Sequence, residues 1–280
     1  MAEIDVEIEA NGKAMEDMGK ILRATLMDDH YMRRFFSDNI PCVEYVLRTI
    51  MDDQTLVVKS AGTQVLKSGP KHEVILDINA VDGKDEEYDI EIERSIERAH
   101  PKRARFNSAM LDTNQLEKGR PYQDLRRSVV IFITEKDVLG ENLPLYKIER
   151  TINGKRPFND GTLILYVNNA IQDPTTELGR LMHDLSCANA DDMYSKLLAD
   201  KTREFKDTEK GRSIMSTVWQ EALEEHGRLV AQQVTQQEKE ATARIMLEDG
   251  ESAEKTARYS RLPIAEVRVI AQGLGLASAL

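Results

Sequence analysis

The feature that most constrains this chain is a pair of alternating apolar and polar segments, ILDINAV and YDIEIER, within residues 75–94. The Asp-Gly pair between them is a strong turn signal, so the segments are predicted to form a β-hairpin with its turn centred near Lys84. With that register, Asp77 on the first strand lies across from Glu91 on the second. The hairpin therefore carries apolar side chains on one face and carboxylates on the other.

Strand alternation assigns these side chains to the two faces. Like charges opposed across strands destabilise a sheet, so water, basic groups from elsewhere or a divalent cation must compensate the acidic face. Carboxylate oxygens suit Mg²⁺, and a solvated acidic face on an edge hairpin is the alternative. The acidic face carries Asp77, Asp89, Glu91 and Glu93, and the buried face is predicted to hold Val74, Leu76, Ile78, Tyr88, Ile90 and Ile92.

The pattern through residue 170 indicates helices, then strands, one helix and further strands, which is typical of an α/β or α+β domain around one mixed sheet. Helical spacing occurs in the first 53 residues, and residues 54–61 are a candidate strand. SVVIFIT at 128–134 is a continuous apolar run, typical of a strand covered on both faces. LPLYKIERTI and GTLILYVNN supply further strand candidates. A helix of about 18 residues is predicted from Pro101; its expected buried face is Phe106, Ala109, Met110, Thr113 and Leu116.

Charge is distributed unevenly along the chain. The net charge of −11 argues against a polyanionic partner. Residues 94–127, however, hold nine Lys and Arg against four Asp and Glu, a local surplus of five positive charges directly after the acidic hairpin. This local surplus keeps nucleic acid among the expected partners.

The C-terminal third is predicted to be helical from about residue 175. We expect one domain over residues 1–205 and, over 206–280, a helical linker with a small tail that resembles a helix-turn-helix. Residues 202–248 are charged and Gln-rich with few apolar positions, which favours a solvated linker over a weakly dimerising helix. In the tail, Ser252 is expected to cap one helix and Pro263 to open the next. The tail could read DNA or mediate a homo-oligomer, and both alternatives stay open.

Several patterns bear on location. No run of about 18 apolar residues occurs, so a membrane-spanning helix is not expected. The first 20 residues are charged throughout and lack the apolar core of a signal peptide. Cys42 and Cys187 are far apart in no metal-like spacing, which fits two reduced thiols. These patterns predict a cytoplasmic protein.

Several motifs in one order resemble a known family. They are LDINAVDGKDEEYDIEIER, the basic segment KRAR at 102–105, LEKGRPY at 116–122, VVIFIT, and DGTLILYVNN. Together with LMDDHYMRRFFSDN upstream, this stretch of roughly residues 20–205 is similar to the Rpn-type, PD-(D/E)XK nuclease family transposases of bacteria. The resemblance implies a restriction-endonuclease-like mixed α/β sheet flanked by helices, and a Mg²⁺- or Mn²⁺-dependent DNA endonuclease that hydrolyses phosphodiester bonds during recombination.

The resemblance also implies roles for individual residues. Asp77 and Glu91 match the metal ligands, and Asp29 matches an acidic residue of the first helix that completes the site. Arg33 stands at a position where the family usually has Lys. Lys102 and Arg103 match the basic pair after the hairpin, and Arg105 belongs to the same segment, where contact with DNA phosphates is the natural role.

Glu93 departs from the family pattern, which usually has Gln there, whereas the wider fold has Lys. A carboxylate cannot supply the positive charge of Lys, but it could act as a third metal ligand or as a general base. The alternative expectation is therefore a catalytically degenerate relative that binds DNA or a protein through its helical C-terminal region.

Overall fold

The N-terminal part of the described chain is helical. The structure is a computed structural model that describes residues 18–69 and 73–276. A helical segment at 18–23 precedes α1 (Asp29–Phe36) and α2 (Ile40–Met51). Pro41 lies in the first turn of α2, where its missing N–H breaks no hydrogen bond. The predicted helices are confirmed here, whereas residues 1–17 lie outside the described part.

Six strands form the central mixed sheet. They are β1 (Val58–Ser68), β2 (Glu73–Asp82), β3 (Glu87–Glu93), β4 (Ser128–Thr134), β5 (Leu145–Ile148) and β8 (Thr162–Asn168). Two shorter strands, β6 and β7, lie between β5 and β8 in the chain. The strand order is β1-β2-β3-β4-β8-β5, and β6 (Thr151–Ile152) with β7 (Arg156–Pro157) forms a separate two-stranded ladder. This arrangement confirms the predicted mixed α/β fold, although the first strand begins at Val58 rather than at residue 54.

The hairpin of β2 and β3 has the predicted register. Ile78 pairs with Ile90 and Asn79 with Asp89 in an antiparallel ladder. The turn is closed by Asp82, whose Oδ1 accepts hydrogen bonds from the backbone N–H groups of Lys84 and Glu86, at 2.8 and 2.9 Å. The prediction from the Asp-Gly pair is therefore confirmed.

β4 lies in the middle of the sheet. It pairs in parallel with β3 on one side and with β8 on the other, and all seven of its residues are buried. Because neither face of such a strand is exposed to solvent, its polar and apolar residues do not alternate, which explains the continuous apolar run. This prediction is confirmed.

The two faces of the sheet belong to two apolar clusters. Ile78, Tyr88, Ile90 and Ile92 pack in the cluster that contains buried residues of α1 and α2. Leu76, by contrast, packs in the second cluster, with Val130 and Phe132 of β4 among its members, and Val74 lies against the same cluster. The prediction that all six apolar side chains share one face is therefore wrong for Val74 and Leu76. Residues before Ile78 still pair with β1, but that ladder has no pair between Gln64 and Asp77, and Gln64 has a φ of 55°, so the alternation of β2 is interrupted at Asp77.

Helix α3 (Pro101–Gln115) packs through a different face from the one predicted. His100 caps it by accepting a hydrogen bond from the N–H of Lys102, at 3.0 Å. Phe106 is 41% exposed, and Ala109 and Thr113 are exposed as well. The prediction is right for Met110 and wrong for Phe106, Ala109 and Thr113, because polar side chains share the inner face and its apolar residues therefore do not show a helical period. The buried residues are Ala104, Asn107, Ser108, Met110 and Leu111.

The chain after β8 is helical, as predicted. Its helices are α4 (Glu177–Ser186), α5 (Lys196–Asp207), α6 (Glu209–Glu248), α7 (Ala253–Ser260) and α8 (Ile264–Gly273). Short 3-10 helices lie at Tyr122–Asp124 and Ala190–Asp192. Ser252 caps α7 by accepting from the N–H of Lys255, at 3.3 Å, and Pro263 precedes α8. Both predicted helix starts in the tail are confirmed.

The chain divides into two compact units. The first ends at Trp219 and the second begins at Gln220, within α6. The boundary expected between residues 205 and 206 falls inside α5. In the second unit, apolar residues of α6, α7 and α8 form one small core. None of the helices in residues 18–69 and 73–276 is long and apolar enough to cross a membrane.

Candidate functional site

The acidic residues of the hairpin meet at the ends of β2 and β3. The backbone N–H of Asp77 points to Oε1 of Glu91, at 3.5 Å, and Oδ2 of Asp77 accepts from the N–H of Ile92, at 3.4 Å. Asp77 therefore lies across from Glu91, as the register predicted. Asp89 and Glu93 flank Glu91 at alternate positions of β3, so four carboxylates occupy adjacent positions on two strands.

These carboxylates are removed from solvent. Asp89 and Glu91 are 0% exposed, Glu93 is 3% exposed and Asp77 is 9% exposed. Burial raises the pKa of Asp77 from 3.8 to about 6, and the negative charge of Asp29 adds to the effect. Burial also raises the pKa of Asp89 and of Glu91, the latter further through the charges of Asp89 and Asp77. Asp77, Asp89 and Glu91 therefore hold protons more tightly than ordinary carboxyl groups do.

Arg103 of α3 supplies the principal positive charge. Its guanidinium contacts the carboxylates of Glu91 and Glu93 with separate nitrogen atoms, and it lies 5.5 Å from the ring centroid of Phe132. Arg98 approaches Glu93 at 3.4 Å from a largely exposed position. A basic group from a neighbouring helix, one of the three ways to compensate an acidic strand face, is therefore present.

Asn107, one turn after Arg103, is a site residue that the sequence patterns missed. Its Nδ2 donates to Asp89 at 2.9 Å and lies 3.3 Å from Glu91. The other oxygen of Asp89 has no hydrogen-bond partner among the described residues. A signal existed in the sequence, because Asn107 lies four residues after Arg103 and so shares its helix face.

The remaining residues that were predicted to belong to the site differ in whether they form an ion pair or are exposed to solvent. Asp29 and Arg33 form an ion pair on α1, at 2.6 Å. The charge of Asp29 raises the pKa of Asp77, and the charge of Arg33 lowers it. Lys102 and Arg105 are exposed on α3. Arg33 and Arg103 are therefore occupied by carboxylates of the chain itself, whereas Lys102 and Arg105 face solvent.

A second polar cluster lies at the other end of the hairpin. Glu87 accepts from Lys67 at 2.6 Å, from Asn79 at 2.8 Å and from Gln115 at 3.1 Å. The NH₂ group of Asn79 is therefore directed at Glu87 and not at the four carboxylates. A cavity of about 560 Å³ adjoins this cluster, and its lining includes Lys67, Asn79, Glu87, Gln115, Arg120 and Arg126.

The donor atoms fit a hard cation in type. Carboxylate oxygens are the ligands that Mg²⁺ and Mn²⁺ prefer. Within the described residues, however, no group of three or more His, Cys, Asp or Glu side chains is arranged to hold a metal ion. Arg103 contacts two of the carboxylates, so a cation could use the full set only after Arg103 moves away.

Comparisons with known proteins add no family to this picture. No protein-family model matches the chain, and neither the curated proteins nor the solved structures gave a significant match.

Proposed function

We propose that this protein is a Mg²⁺- or Mn²⁺-dependent DNA endonuclease of the transposase-associated PD-(D/E)XK type. The observation that carries the proposal is the set of four buried carboxylates on two adjacent strands, which raises the cost of folding and leaves one oxygen of Asp89 without a partner. A buried cluster of this kind, with strongly shifted pKa values, is more common in functional sites than in structural cores.

The proposal gives each residue a role. Asp77, Glu91 and Glu93 would hold the metal ion, with Asp29 as a further acid beside Asp77. A bound divalent cation would activate a water molecule and neutralise charge on a phosphate. Glu93 could orient that water or accept its proton.

Arg103 and the exposed basic residues of α3 act on the DNA backbone. Phosphate competes with carboxylate for the guanidinium of Arg103 because both are anions with two oxygen atoms that can accept a pair of parallel N–H bonds from a guanidinium. Lys102 and Arg105 would draw the backbone towards α3 without reading bases. The exchange of Arg103 from Glu91 and Glu93 to a phosphate would free the carboxylates.

The decisive experiment is nicking of supercoiled plasmid with Mg²⁺ or Mn²⁺. The Asp77→Asn variant is expected to lose at least about 100-fold in rate, since a metal ligand contributes several kcal/mol to charge stabilisation. Asp85→Asn is the matched control, because Asp85 is an exposed acid in the turn of the same hairpin. Equal nicking by wild type and Asp77→Asn would show that the active site lies elsewhere.

DNA binding tests the role of α3 separately from cleavage. The Lys102→Ala, Arg105→Ala double variant should weaken binding and reduce the slope of log affinity against log salt by about 2, one unit for each lost phosphate contact. Lys155→Ala, an exposed Lys between β6 and β7, should leave both quantities unchanged. An unchanged slope in the double variant would remove α3 from the interface.

A second candidate follows from Arg103. Because its guanidinium already forms ion pairs with Glu91 and Glu93, the cluster can persist without a metal ion, and the chain could be a cytoplasmic DNA- or protein-binding relative without catalysis. Titration calorimetry and thermal shift with Mn²⁺ separate the two. Saturable binding that disappears in Glu91→Gln supports the nuclease, whereas no heat and no shift, together with no nicking, supports the binding protein.

A further inference from the structure

Gln64 of β1 has a backbone conformation that is unusual for its residue type. Its φ is 55°, in the left-handed region, although it lies within a strand. The other described residues with a positive φ are Gly, Asp or Asn, which tolerate this region, or Arg261, which follows the last residue of α7. Neither reason applies to Gln64, so its conformation costs free energy that other contacts must offset.

The distortion lies opposite Asp77 in the sheet. The ladder of β1 and β2 continues on both sides of this position without a shift in register, but it has no pair between Gln64 and Asp77. The side chains of β2 change faces here, because Ile78 packs in the cluster that contains α1 and α2 and Leu76 packs in the second cluster. The β2–β3 ladder ends at Ile78 as well. Asp77 therefore has no ladder pair on either side, and contacts of other kinds must fix its position.

Three hydrogen bonds hold Asp77 in place of ladder pairs. Nε2 of Gln64 donates to Oδ1 of Asp77 at 3.4 Å, and the N–H of Ile92 donates to Oδ2 at 3.4 Å. The N–H of Asp77 itself donates to Oε1 of Glu91 at 3.5 Å. Gln64 is the only donor to Oδ1 among the described residues. The two strands that flank β2 therefore hold the two carboxylate oxygens of Asp77 from opposite sides.

We propose that Gln64 is a positioning residue that orients the carboxylate of Asp77 for a divalent cation. This inference rests on the proposed function, in which Asp77 holds the metal ion. A ligand that a neighbouring side chain already orients loses less conformational freedom when the cation binds. Removal of such a supporting hydrogen bond typically lowers metal affinity by about 10- to 100-fold. Backbone strain also persists mainly at functional sites, where the surrounding contacts determine it.

The side-chain amide, rather than the backbone, is the functional part of Gln64. Glycine adopts a φ of 55° without a steric cost, so a purely structural role would be served at least as well by glycine. Only a side chain can reach Oδ1 of Asp77, and an amide donates to this oxygen without bringing a positive charge. A Lys or Arg at the same position would form an ion pair with Asp77 and compete with the cation.

Titration calorimetry of the full chain with Mn²⁺ is the main test. Gln64→Met keeps the length of the side chain and removes the donor, whereas Gln64→Gly removes the donor and relieves the backbone. Both variants should bind Mn²⁺ at least about 10-fold more weakly than the wild type. Gln123→Met is the matched control, because it makes the same change at an exposed Gln in a 3-10 helix, and it should leave the affinity unchanged.

Urea unfolding of the same variants separates positioning from stability. Gln64→Gly should unfold at a higher urea concentration than Gln64→Met, because glycine fits the left-handed conformation. Thr63→Gly, at a neighbouring position whose φ is not positive, should instead lower the stability of the protein. An equal loss of Mn²⁺ affinity in two Gln64 variants that differ in stability shows that the loss does not result from unfolding.

Plasmid nicking at increasing Mn²⁺ concentration distinguishes a positioning residue from a ligand. At saturating Mn²⁺ both Gln64 variants should recover most of the wild-type rate, because the metal ligands themselves are intact. Asp77→Asn should not recover, since it lacks a ligand. A rate that stays low in Gln64→Met at saturating Mn²⁺ would mean that the amide acts in the reaction itself, which contradicts a positioning role.

The calorimetric outcomes separate this inference from the proposed function. If the wild type shows no saturable Mn²⁺ binding, the proposed function fails and the inference fails with it. If the wild type binds Mn²⁺ and both Gln64 variants bind it equally well, only the inference fails. Weaker binding in Gln64→Gly but not in Gln64→Met would assign the effect to the backbone rather than to the amide, and would also overturn the inference.

Discussion

The two faces of β3 are built by alternate residues of one seven-residue strand, and all seven are buried. Tyr88, Ile90 and Ile92 gain free energy from burial in the large apolar cluster. Asp89, Glu91 and Glu93 lose free energy, because buried carboxylates give up hydration. Burial therefore makes a favourable contribution to the free energy of folding on the apolar face and an unfavourable one on the acidic face. The fold buries the acidic face nevertheless.

Most of the compensation of the acidic face comes from α3, while Arg98 approaches Glu93 and Arg33 of α1 lowers the pKa of Asp77. Arg103 contacts Glu91 and Glu93, and Asn107 donates to Asp89. The apolar face, in contrast, draws on several helices and needs no particular partner for any one side chain. We expect single substitutions to show how much each of the two faces depends on particular partner residues for its stability.

The largest expected loss of stability follows from removing the positive charge of Arg103. Arg103→Met should lower the free energy of unfolding by about 4 kcal/mol at neutral pH, because it leaves Glu91 and Glu93 buried without their cation. Urea unfolding monitored by circular dichroism measures this loss in the free energy of unfolding. Arg98→Met is the control and should cost less than about 1 kcal/mol, since Arg98 is 66% exposed. Comparable losses in both variants would mean that Arg103 is not the main compensating group.

The apolar face should respond next most strongly. Ile90→Ala is expected to cost about 3 kcal/mol, as buried Ile-to-Ala changes leave a cavity. Ile75→Ala, on the neighbouring strand but 54% exposed, should cost less than about 0.5 kcal/mol in the same urea titration. If the two losses were similar, the face of β3 occupied by Ile90 would not belong to the main core.

The acidic face should also make stability depend on pH. Because folding raises the pKa of Asp77 from 3.8 to about 6, its contribution is complete below pH 3.8 and is lost as pH rises through 6. Between about pH 4.5 and about pH 7 the loss should be about 2 kcal/mol. The check is the difference between wild type and Asp77→Asn in urea unfolding across that range. A constant difference would mean that Asp77 titrates normally in the folded protein.

The smallest expected effect concerns the amide that supports Asp89. Asn107→Ala should cost about 1.5 kcal/mol, because it removes the hydrogen-bond donor of a fully buried carboxylate. Thr113→Ala, on the exposed face of the same helix, should be nearly neutral. Thermal unfolding of the two variants is sufficient to rank them, and a larger loss at Thr113 would contradict the observed face of α3.

Different parts of the molecule were predictable to different degrees. The hairpin register and the central position of β4 follow from alternation, an Asp-Gly turn and a continuous apolar run, which are local signals. The face of α3 was not predictable from apolar spacing, because Asn107 and Ser108 are buried there and Phe106 is exposed. Hydrophobic periodicity is a weak signal where one helix face packs partly onto charged groups and partly onto an apolar core, as α3 does.

The sequence by itself determined that the hairpin has four carboxylates on one face and that something must compensate their charge. It left water, a basic group and a divalent cation as equal alternatives, because each satisfies the same electrostatic need. Only the packing of α3 across the sheet brings Arg103 and Asn107 onto those carboxylates, and that packing depends on contacts made far along the chain, at β4 and β8. The strand pattern thus predicted that a compensating group is needed, and only the tertiary structure shows that Arg103 and Asn107 contact these carboxylates.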